Sequence, residues 1–180
     1  MRIVVGTYYR TGSTWLYNAI RLSCIEAGLS VSHTGNTELI EYNTDVIIHK
    51  VHNHSQELED AADHIFTIER DIREADASFL RAFKHPIDHI DRALSIGAAR
   101  RWREAADRVF QFRDIAGDSM LIITSILHVL KLKKGSQFII RVYDKLLQLQ
   151  PPTEKIQDPE SLYFCNHITS DGSHSSDSST

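Results

Sequence analysis

Residues 3–20 read IVVGTYYRTGSTWLYNAI, and this stretch predicts a strand, a short turn and the start of a helix. The β-branched run at residues 3–5 is typical of a strand that is covered on both faces. Gly6 and Gly12 bracket the turn. A helix that begins after such a turn presents unpaired backbone N–H groups and the positive end of its dipole. We therefore expect an anion site here, with Arg10 adding a full positive charge.

The first helix is expected over residues 14–27. Ser13 or Thr14 can cap its start, because a hydroxyl oxygen accepts a hydrogen bond from a first-turn N–H group. Gly28 follows the last apolar position and is a fitting C-terminal stop.

The remainder of the chain alternates between apolar runs and helical patterns. Strands that alternate with helices predict an α/β fold, with a parallel β-sheet flanked by helical layers. The expected elements after the first helix are a loop with a short strand or helix (29–44), a strand (45–51), an acidic helix (56–63), a strand (64–69), a helix (72–83), a helical stretch divided at Gly117 and Asp118 (86–132) and a strand (137–142).

Composition indicates one folded domain and excludes several classes of protein. The chain has 180 residues, of which 42% are hydrophobic and 24% charged, so residues 1–150 suffice for one core. Residues 151–180 form an extension, and its Ser-rich end at 170–180 is expected to be disordered. A formal net charge of −4 gives no overall electrostatic basis for binding nucleic acid or an anionic membrane.

Cysteine content and hydropathy bear on location. Cys24 and Cys165 are too few and too isolated for a disulfide framework or a zinc site, and are expected to be free thiols. No long apolar segment indicates a signal peptide or a membrane span. We expect a cytoplasmic protein.

The anion-binding turn differs from the loop that binds nucleoside triphosphates. That loop needs two glycines separated by four residues, and a lysine directly before the hydroxyl residue. Here five residues separate Gly6 and Gly12, and Gly12 itself precedes Ser13. A kinase with a divergent loop is therefore the less favoured interpretation.

Two further predicted strands also end in groups that suit an anionic ligand. Lys50 and His52 close the strand at 45–51, and Arg70 follows the strand at 64–69. The carboxyl ends of parallel strands meet at one edge of a sheet, where ligands bind. Ser78 lies two helical turns beyond Arg70, and the two can hold a phosphate from two sides. The alternative is that Arg70 pairs with a nearby carboxylate such as Glu69 or Asp71, and Ser78 is a surface residue.

Residues 9–16 (YRTGSTWL) resemble the 5′-phosphosulfate loop of sulfotransferases that use 3′-phosphoadenosine 5′-phosphosulfate (PAPS). Residues 70–78 (RDIREADAS) resemble the 3′-phosphate motif of the same family, with Ile72 where proline is usual. The resemblance spans residues 1–150 and implies a P-loop-like three-layer sandwich. It implies that Arg70 and Ser78 hold the 3′-phosphate. It places these residues around the phosphosulfate: Arg10, Thr11, Gly12, Ser13 and Thr14.

His52 is the expected general base. A histidine titrates near pH ~6.5 and can accept a hydroxyl proton at neutral pH. Residues 50–52 (KVH) resemble the Lys-Thr-His segment of cytosolic sulfotransferases, whose histidine deprotonates the acceptor. A role as a core hydrogen-bonding group is the alternative for His52, and His54 is the alternative base. Zinc binding by His49, His52 and His54 is disfavoured because a strand points His49 and His52 to opposite faces.

Charge stabilisation and base recognition complete the expected site. Arg10 and Lys50 are expected to neutralise charge on the transferring sulfuryl group, so no metal is required. Residues 141–146 (RVYDKL) resemble a family segment after a late strand, which places Tyr143 near the nucleotide base. Trp15 can stack on adenine, although packing in the core is an equal alternative for both aromatic residues.

The expected activity is transfer of a sulfuryl group from PAPS to a hydroxyl or amine acceptor, which leaves adenosine 3′,5′-bisphosphate. The acceptor can be a small molecule, a carbohydrate or another hydroxylated compound, contacted by residues 29–44 and 86–117. The chain lacks the family's late Arg-Lys-Gly segment after Pro152, which weakens the expected grip on the 3′-phosphate. The alternative from another class is a non-catalytic protein that binds adenosine 3′,5′-bisphosphate.

Overall fold

A computed structural model describes residues 1–35, 37–132 and 135–149. Its five strands form one all-parallel sheet with helices on both faces, so the predicted α/β three-layer fold is confirmed. The expectations for residues 151–180 lie outside the described residues. The strands are β1 (Arg2–Gly6), β2 (Val31–Thr34), β3 (Val46–Val51), β4 (His64–Glu69) and β5 (Arg108–Gln111). The helices are α1 (Ser13–Glu26), α2 (Gln56–Ala61), α3 (Ile72–Phe83), α4 (His89–Ala105), α5 (Asp114–Gly117), α6 (Ser119–Val129) and α7 (Ser136–Gln148).

β1 is the central strand, in the order β2-β3-β1-β4-β5. Its residues Ile3, Val4 and Val5 are fully buried, because both faces of a parallel sheet are covered by helices. In register, Val5 lies opposite Lys50 of β3 and Phe66 of β4.

Two hydrophobic clusters, one on each face of the sheet, hold the layers together. The larger cluster includes Ile3 and Val5 and packs against α1, α6 and α7. The smaller one joins Val4 to Leu58 of α2 and Trp102 of α4. Successive residues of β1 thus serve opposite layers, as the period of a strand requires.

β1 and β4 are parallel neighbours, but the connections that follow them lead to opposite edges of the sheet. After β1 the chain crosses to β2 on one side of the sheet, and after β4 it crosses to β5 on the other side. Such a reversal opens a crevice at the carboxyl ends of the two strands, where ligands of open α/β sheets bind. The turn after β1 and the start of α3 after β4 border this crevice.

The strand predicted at residues 137–142 is wrong, because these residues belong to α7. Phe138, Val142 and Leu146 are buried at intervals of four residues and face the larger cluster. The apolar residues of this run therefore lie around an amphipathic helix, with Ile140 on its exposed side.

The stretch at 86–132 contains a strand that its helical pattern did not indicate. β5 pairs with β4 over four residues, of which only Phe110 is buried. The predicted division at Gly117 and Asp118 is confirmed, since α5 ends at Gly117 and α6 begins at Ser119. In the part of the chain that the structure describes, no helix has the length and apolarity needed to cross a membrane.

Candidate functional site at the carboxyl end of the sheet

The turn after β1 is held by its own hydrogen bonds and by β3. The Thr7 N–H donates to the Val51 carbonyl at 3.1 Å, and the Thr11 hydroxyl donates to the Tyr8 carbonyl at 2.9 Å. Arg10 and Gly12 have φ values of 56° and 95°, in the left-handed region that glycine adopts without steric cost. The backbone therefore curls tightly enough to aim its next N–H groups at the crevice.

Gly12 is the N-cap of α1, and no side chain caps the helix. The expectation that Ser13 or Thr14 supplies the cap is wrong, because both lie buried within the first turn. A Cβ on Gly12 would lie 2.8 Å from Cδ1 of Ile115 and 3.0 Å from Phe112. A residue with a capping side chain does not fit at this position, and no side-chain cap competes with an anion for the first-turn N–H groups.

The structure brings the two predicted phosphate motifs into contact. Nε of Arg10 donates to Oγ of Ser78 at 3.3 Å, and Nη1 of Arg70 donates to the Arg10 carbonyl at 3.4 Å. Ser78 is 3% exposed and is therefore not the surface residue of the alternative interpretation. Residues that are 68 positions apart in the chain thus converge on one point of the crevice.

Arg70 is oriented by an aromatic ring and a carboxylate. Its guanidinium carbon lies 4.0 Å from the centre of the Phe112 ring, and its Nε lies 3.2 Å from Oε2 of Glu74. Arg70 thus pairs with a nearby carboxylate, as the alternative interpretation states, but this carboxylate is Glu74. Asp71 instead accepts the Arg73 N–H at 2.8 Å and caps α3. Arg70 therefore points along the start of α3 with one planar edge directed at the turn.

Three cations meet at this end of the sheet. Burial, reinforced by Arg70 and Arg81, lowers the pKa of Arg10 to about 10. Burial and the charge of Arg10 lower the pKa of Lys50 to about 8. Within the described ranges no carboxylate forms an ion pair with Lys50. Burial is the larger cause of both shifts, and the neighbouring positive charges add to it. This concentration of cations favours an anionic ligand.

One ring nitrogen of His52 holds the side chain against the turn after β1. Its Nδ1 lies 2.9 Å from the Thr7 carbonyl oxygen, which can only accept, so Nδ1 carries the proton and Nε2 keeps a lone pair. The ring packs on Tyr9 with 4.4 Å between centroids. Burial and then the charge of Lys50 lower the pKa of His52 to about 4. The imidazole is consequently neutral at pH 7.

The other two histidines of this segment, His49 and His54, contact groups outside the crevice or lie buried in the sheet. Nε2 of His54 lies 2.5 Å from Oε2 of Glu59, and its ring packs against Trp102. His49 is fully buried within β3. In the residues that the structure describes, no group of three or more histidine, cysteine or acidic side chains is placed to hold a metal ion.

The structure does not bring Trp15 or Tyr143 to the crevice. Trp15 is 5% exposed and belongs to the larger core cluster, so its ring has no open face for adenine. Tyr143 lies on α7, not after a late strand, and packs against the same cluster. Both aromatic residues thus take the core positions of the alternative interpretation.

A partly buried polar network behind the turn was not expected. The Tyr8 hydroxyl donates to Oδ1 of Asp76 at 2.5 Å, and Nε of Arg92 donates to Oδ2 of the same carboxylate at 2.8 Å. Burial and the bond to Asp76 raise the pKa of Tyr8. Each residue is unremarkable in sequence, and only the packing of α3 and α4 against the turn brings them together.

No family model and no curated protein matches this sequence. The function is therefore argued from the geometry of the crevice.

Proposed function

We propose that this chain is a PAPS-dependent sulfotransferase, which transfers a sulfuryl group to a hydroxyl or amine acceptor in the cytoplasm. The observation that carries the proposal is the contact of 3.3 Å between Arg10 and Ser78. It joins the motif after β1 to the motif after β4. These are the two neighbouring strands from which the chain continues to opposite edges of the sheet. PAPS has anionic groups at both ends of its ribose, and two neighbouring anion sites match that chemistry.

In this proposal a separate set of protein groups would bind each anionic end of PAPS. The phosphosulfate would lie over the uncapped first turn of α1, near Arg10 and Lys50. The 3′-phosphate would lie between Arg70 and Ser78, in place of the contact that Arg10 now makes. Bound anions would relieve the repulsion among the three cations, so binding is favoured by the charges already present.

The transfer itself requires a base and positive charge. Nε2 of His52 would take the proton of the acceptor hydroxyl as its oxygen forms a bond to sulfur. The bond between sulfur and the bridging oxygen breaks, and its electron pair leaves with adenosine 3′,5′-bisphosphate. Arg10 and Lys50 would stabilise the charge on the bridging oxygen and on the sulfuryl oxygens, as cations do in phosphoryl transfer.

One observation favours a second function, a non-catalytic protein that binds adenosine 3′,5′-bisphosphate. A pKa of about 4 makes His52 a weak base at neutral pH. A bound dianion near Lys50 would raise that pKa and restore basicity. An enzyme requires that the bound ligand raises the pKa of His52 in this way, whereas a binding protein does not.

Ligand-induced stabilisation tests the cofactor site that both functions share. We expect adenosine 3′,5′-bisphosphate at one hundred times its Kd to stabilise the fold by roughly 2.7 kcal/mol, while AMP gives no shift. Arg70→Ala should abolish the shift. Arg73→Ala is the matched control, since Arg73 is an exposed arginine in the first turn of α3, three residues beyond Arg70, and it should keep the shift. A shift with ATP and magnesium alone would support a kinase instead.

Turnover separates the enzyme from the binding protein. We expect release of adenosine 3′,5′-bisphosphate from PAPS to depend on an added acceptor, and His52→Ala to reduce it by about 10²–10⁴-fold. The same variant should still bind the bisphosphate. Binding without acceptor-dependent turnover in the unmodified protein would leave only the non-catalytic function.

A further inference from the structure

A cleft of about 500 Å³ opens beside His52. This volume lies within the range of small-molecule pockets, which is roughly 300–1,000 Å³. Tyr9 joins the cleft to the crevice, because its ring lines the cleft and packs on His52 at 4.4 Å. The lining residues beyond Tyr9 are Phe79, His85, Pro86, Ile87, Asp88, His89 and Asp91.

Aromatic and apolar side chains form the floor of this cleft. The rings of Tyr9 and Phe79 are 5.9 Å apart at 65°, and the His85 ring lies 5.8 Å from Phe79 at 77°. Pro86 and Ile87 add aliphatic surface. Rings held edge to face in this way favour a flat aromatic ligand, which can pack against one ring and meet the edge of the next.

The charge of the cleft is opposite to that of the crevice. No lysine or arginine lines it, and its acidic residues are Asp88 and Asp91. Asp88 is occupied, because its carboxylate accepts the N–H groups of Ile90 and Asp91 and caps α4. Asp91 is exposed, and its carboxylate forms no ion pair among residues 1–35, 37–132 and 135–149. The cleft therefore favours a cationic group near Asp91 over an anionic one.

We infer that the cleft binds a hydroxylated aromatic amine, and that this is the class of acceptor that the protein sulfates. The ring lies against Tyr9 and Phe79, and the ammonium group is directed at Asp91. Arg10 and Lys50 repel the ammonium group from the crevice, so the hydroxyl end faces Nε2 of His52. Its role as the acceptor rests on the proposed function, whereas its binding in the cleft does not.

Binding of matched phenols tests the inference without any nucleotide. The probes are tyramine and 4-hydroxyphenylacetate, which share a ring and a hydroxyl but carry opposite charges. Titration calorimetry on the full chain should give a Kd for tyramine that is roughly threefold to tenfold lower. Equal affinity for both probes, or no binding of either, would overturn the inference.

A charge reversal locates the preference in the cleft. Asp91→Lys should reverse the order of the two affinities, while Asp144→Lys, an exposed site on α7, should leave it unchanged. Thermal unfolding of both variants verifies that each still folds. An unchanged preference in Asp91→Lys would place the amine elsewhere and overturn the assignment.

The two proposals fail separately. A protein that binds tyramine as described but shows no shift with adenosine 3′,5′-bisphosphate would keep the cleft and lose the sulfotransferase. A protein that transfers sulfuryl groups to neutral phenols as readily as to tyramine would keep the sulfotransferase and lose the amine specificity.

Discussion

Lys50 shows how burial and a neighbouring cation set the charge of the site. Its pKa of about 8 means that the free protein loses this charge within an accessible pH range. A bound anion stabilises the protonated form and raises the pKa again. Affinity for an anion is thus fully present below pH 8 and decreases as pH rises above it.

We expect the Kd of adenosine 3′,5′-bisphosphate to increase about tenfold between pH 7 and pH 9.5, because one charge-assisted contact is lost. The phosphates of the ligand are already ionised in this range, with a second pKa near ~6. Calorimetric titrations at several pH values measure the change. In Lys50→Arg the guanidinium stays protonated, so the affinity should stay nearly constant, and a parallel decrease in this variant would contradict the assignment.

The sequence predicts which charged residues lie near the crevice better than it predicts the packing around them. Arg10 was predicted at the phosphosulfate and Arg70 with Ser78 at the 3′-phosphate, both at one edge of the sheet, because strand ends and short spacings place them. The N-cap was assigned to Ser13 or Thr14, since hydroxyl residues cap helices most often. Gly12 takes that position because Ile115 and Phe112 leave no room for a Cβ, and that restriction depends on tertiary packing.

The network of Tyr8, Asp76 and Arg92 connects three elements behind the anion site. It links the turn after β1 to α3 and α4. Tyr8→Phe keeps the ring but removes the hydroxyl that donates to the carboxylate. We expect it to lower the free energy of unfolding by about 1.5–3 kcal/mol, as for a hydrogen bond to a charged group.

Tyr42→Phe is the matched control for this change, because Tyr42 is 39% exposed. Its free energy of unfolding should stay within about 0.5 kcal/mol of the unmodified protein. Denaturation by urea measures both variants. Equal losses in the two would show that the Tyr8 hydroxyl contributes nothing specific.

Helices and strands were predicted correctly where the sequence has one clear hydrophobic period. They were missed where helical and strand periods are both present or where neither is clear. In residues 137–142 the β-branched side chains suggested a strand, but the buried positions continue at Leu146 with the spacing of a helix. A longer window would have favoured the helix. β5 has one buried residue among four, so neither alternation nor an apolar run marks it.

α7 covers the larger hydrophobic cluster and so contributes to the stability of the whole fold. Leu146 of this helix is 1% exposed, whereas its neighbour Leu147 is 39% exposed. We expect Leu146→Ala to lower the free energy of unfolding by about 2–5 kcal/mol, because it leaves a cavity. Leu147→Ala should change it by less than about 0.5 kcal/mol.

Urea denaturation measures this pair, and bisphosphate binding provides a second readout. α7 packs on α1 and α6 and contributes no residue to the crevice. The Kd of the bisphosphate should therefore be the same in both variants while the protein is folded. A weaker Kd in Leu146→Ala would show that the core and the anion site are coupled.

The position of β1 has a consequence for the order in which the protein is made. Of the five strands, β1 leaves the ribosome before the others, yet its two neighbours, β3 and β4, end at Val51 and Glu69. At ~5–20 residues per second, the 45 residues from Thr7 to Val51 take roughly 2–9 s to synthesise. Throughout that interval neither neighbour of the run at residues 3–5 in the sheet is complete. The turn that follows it cannot take its final shape either, because the Thr7 N–H must wait for the carbonyl of Val51.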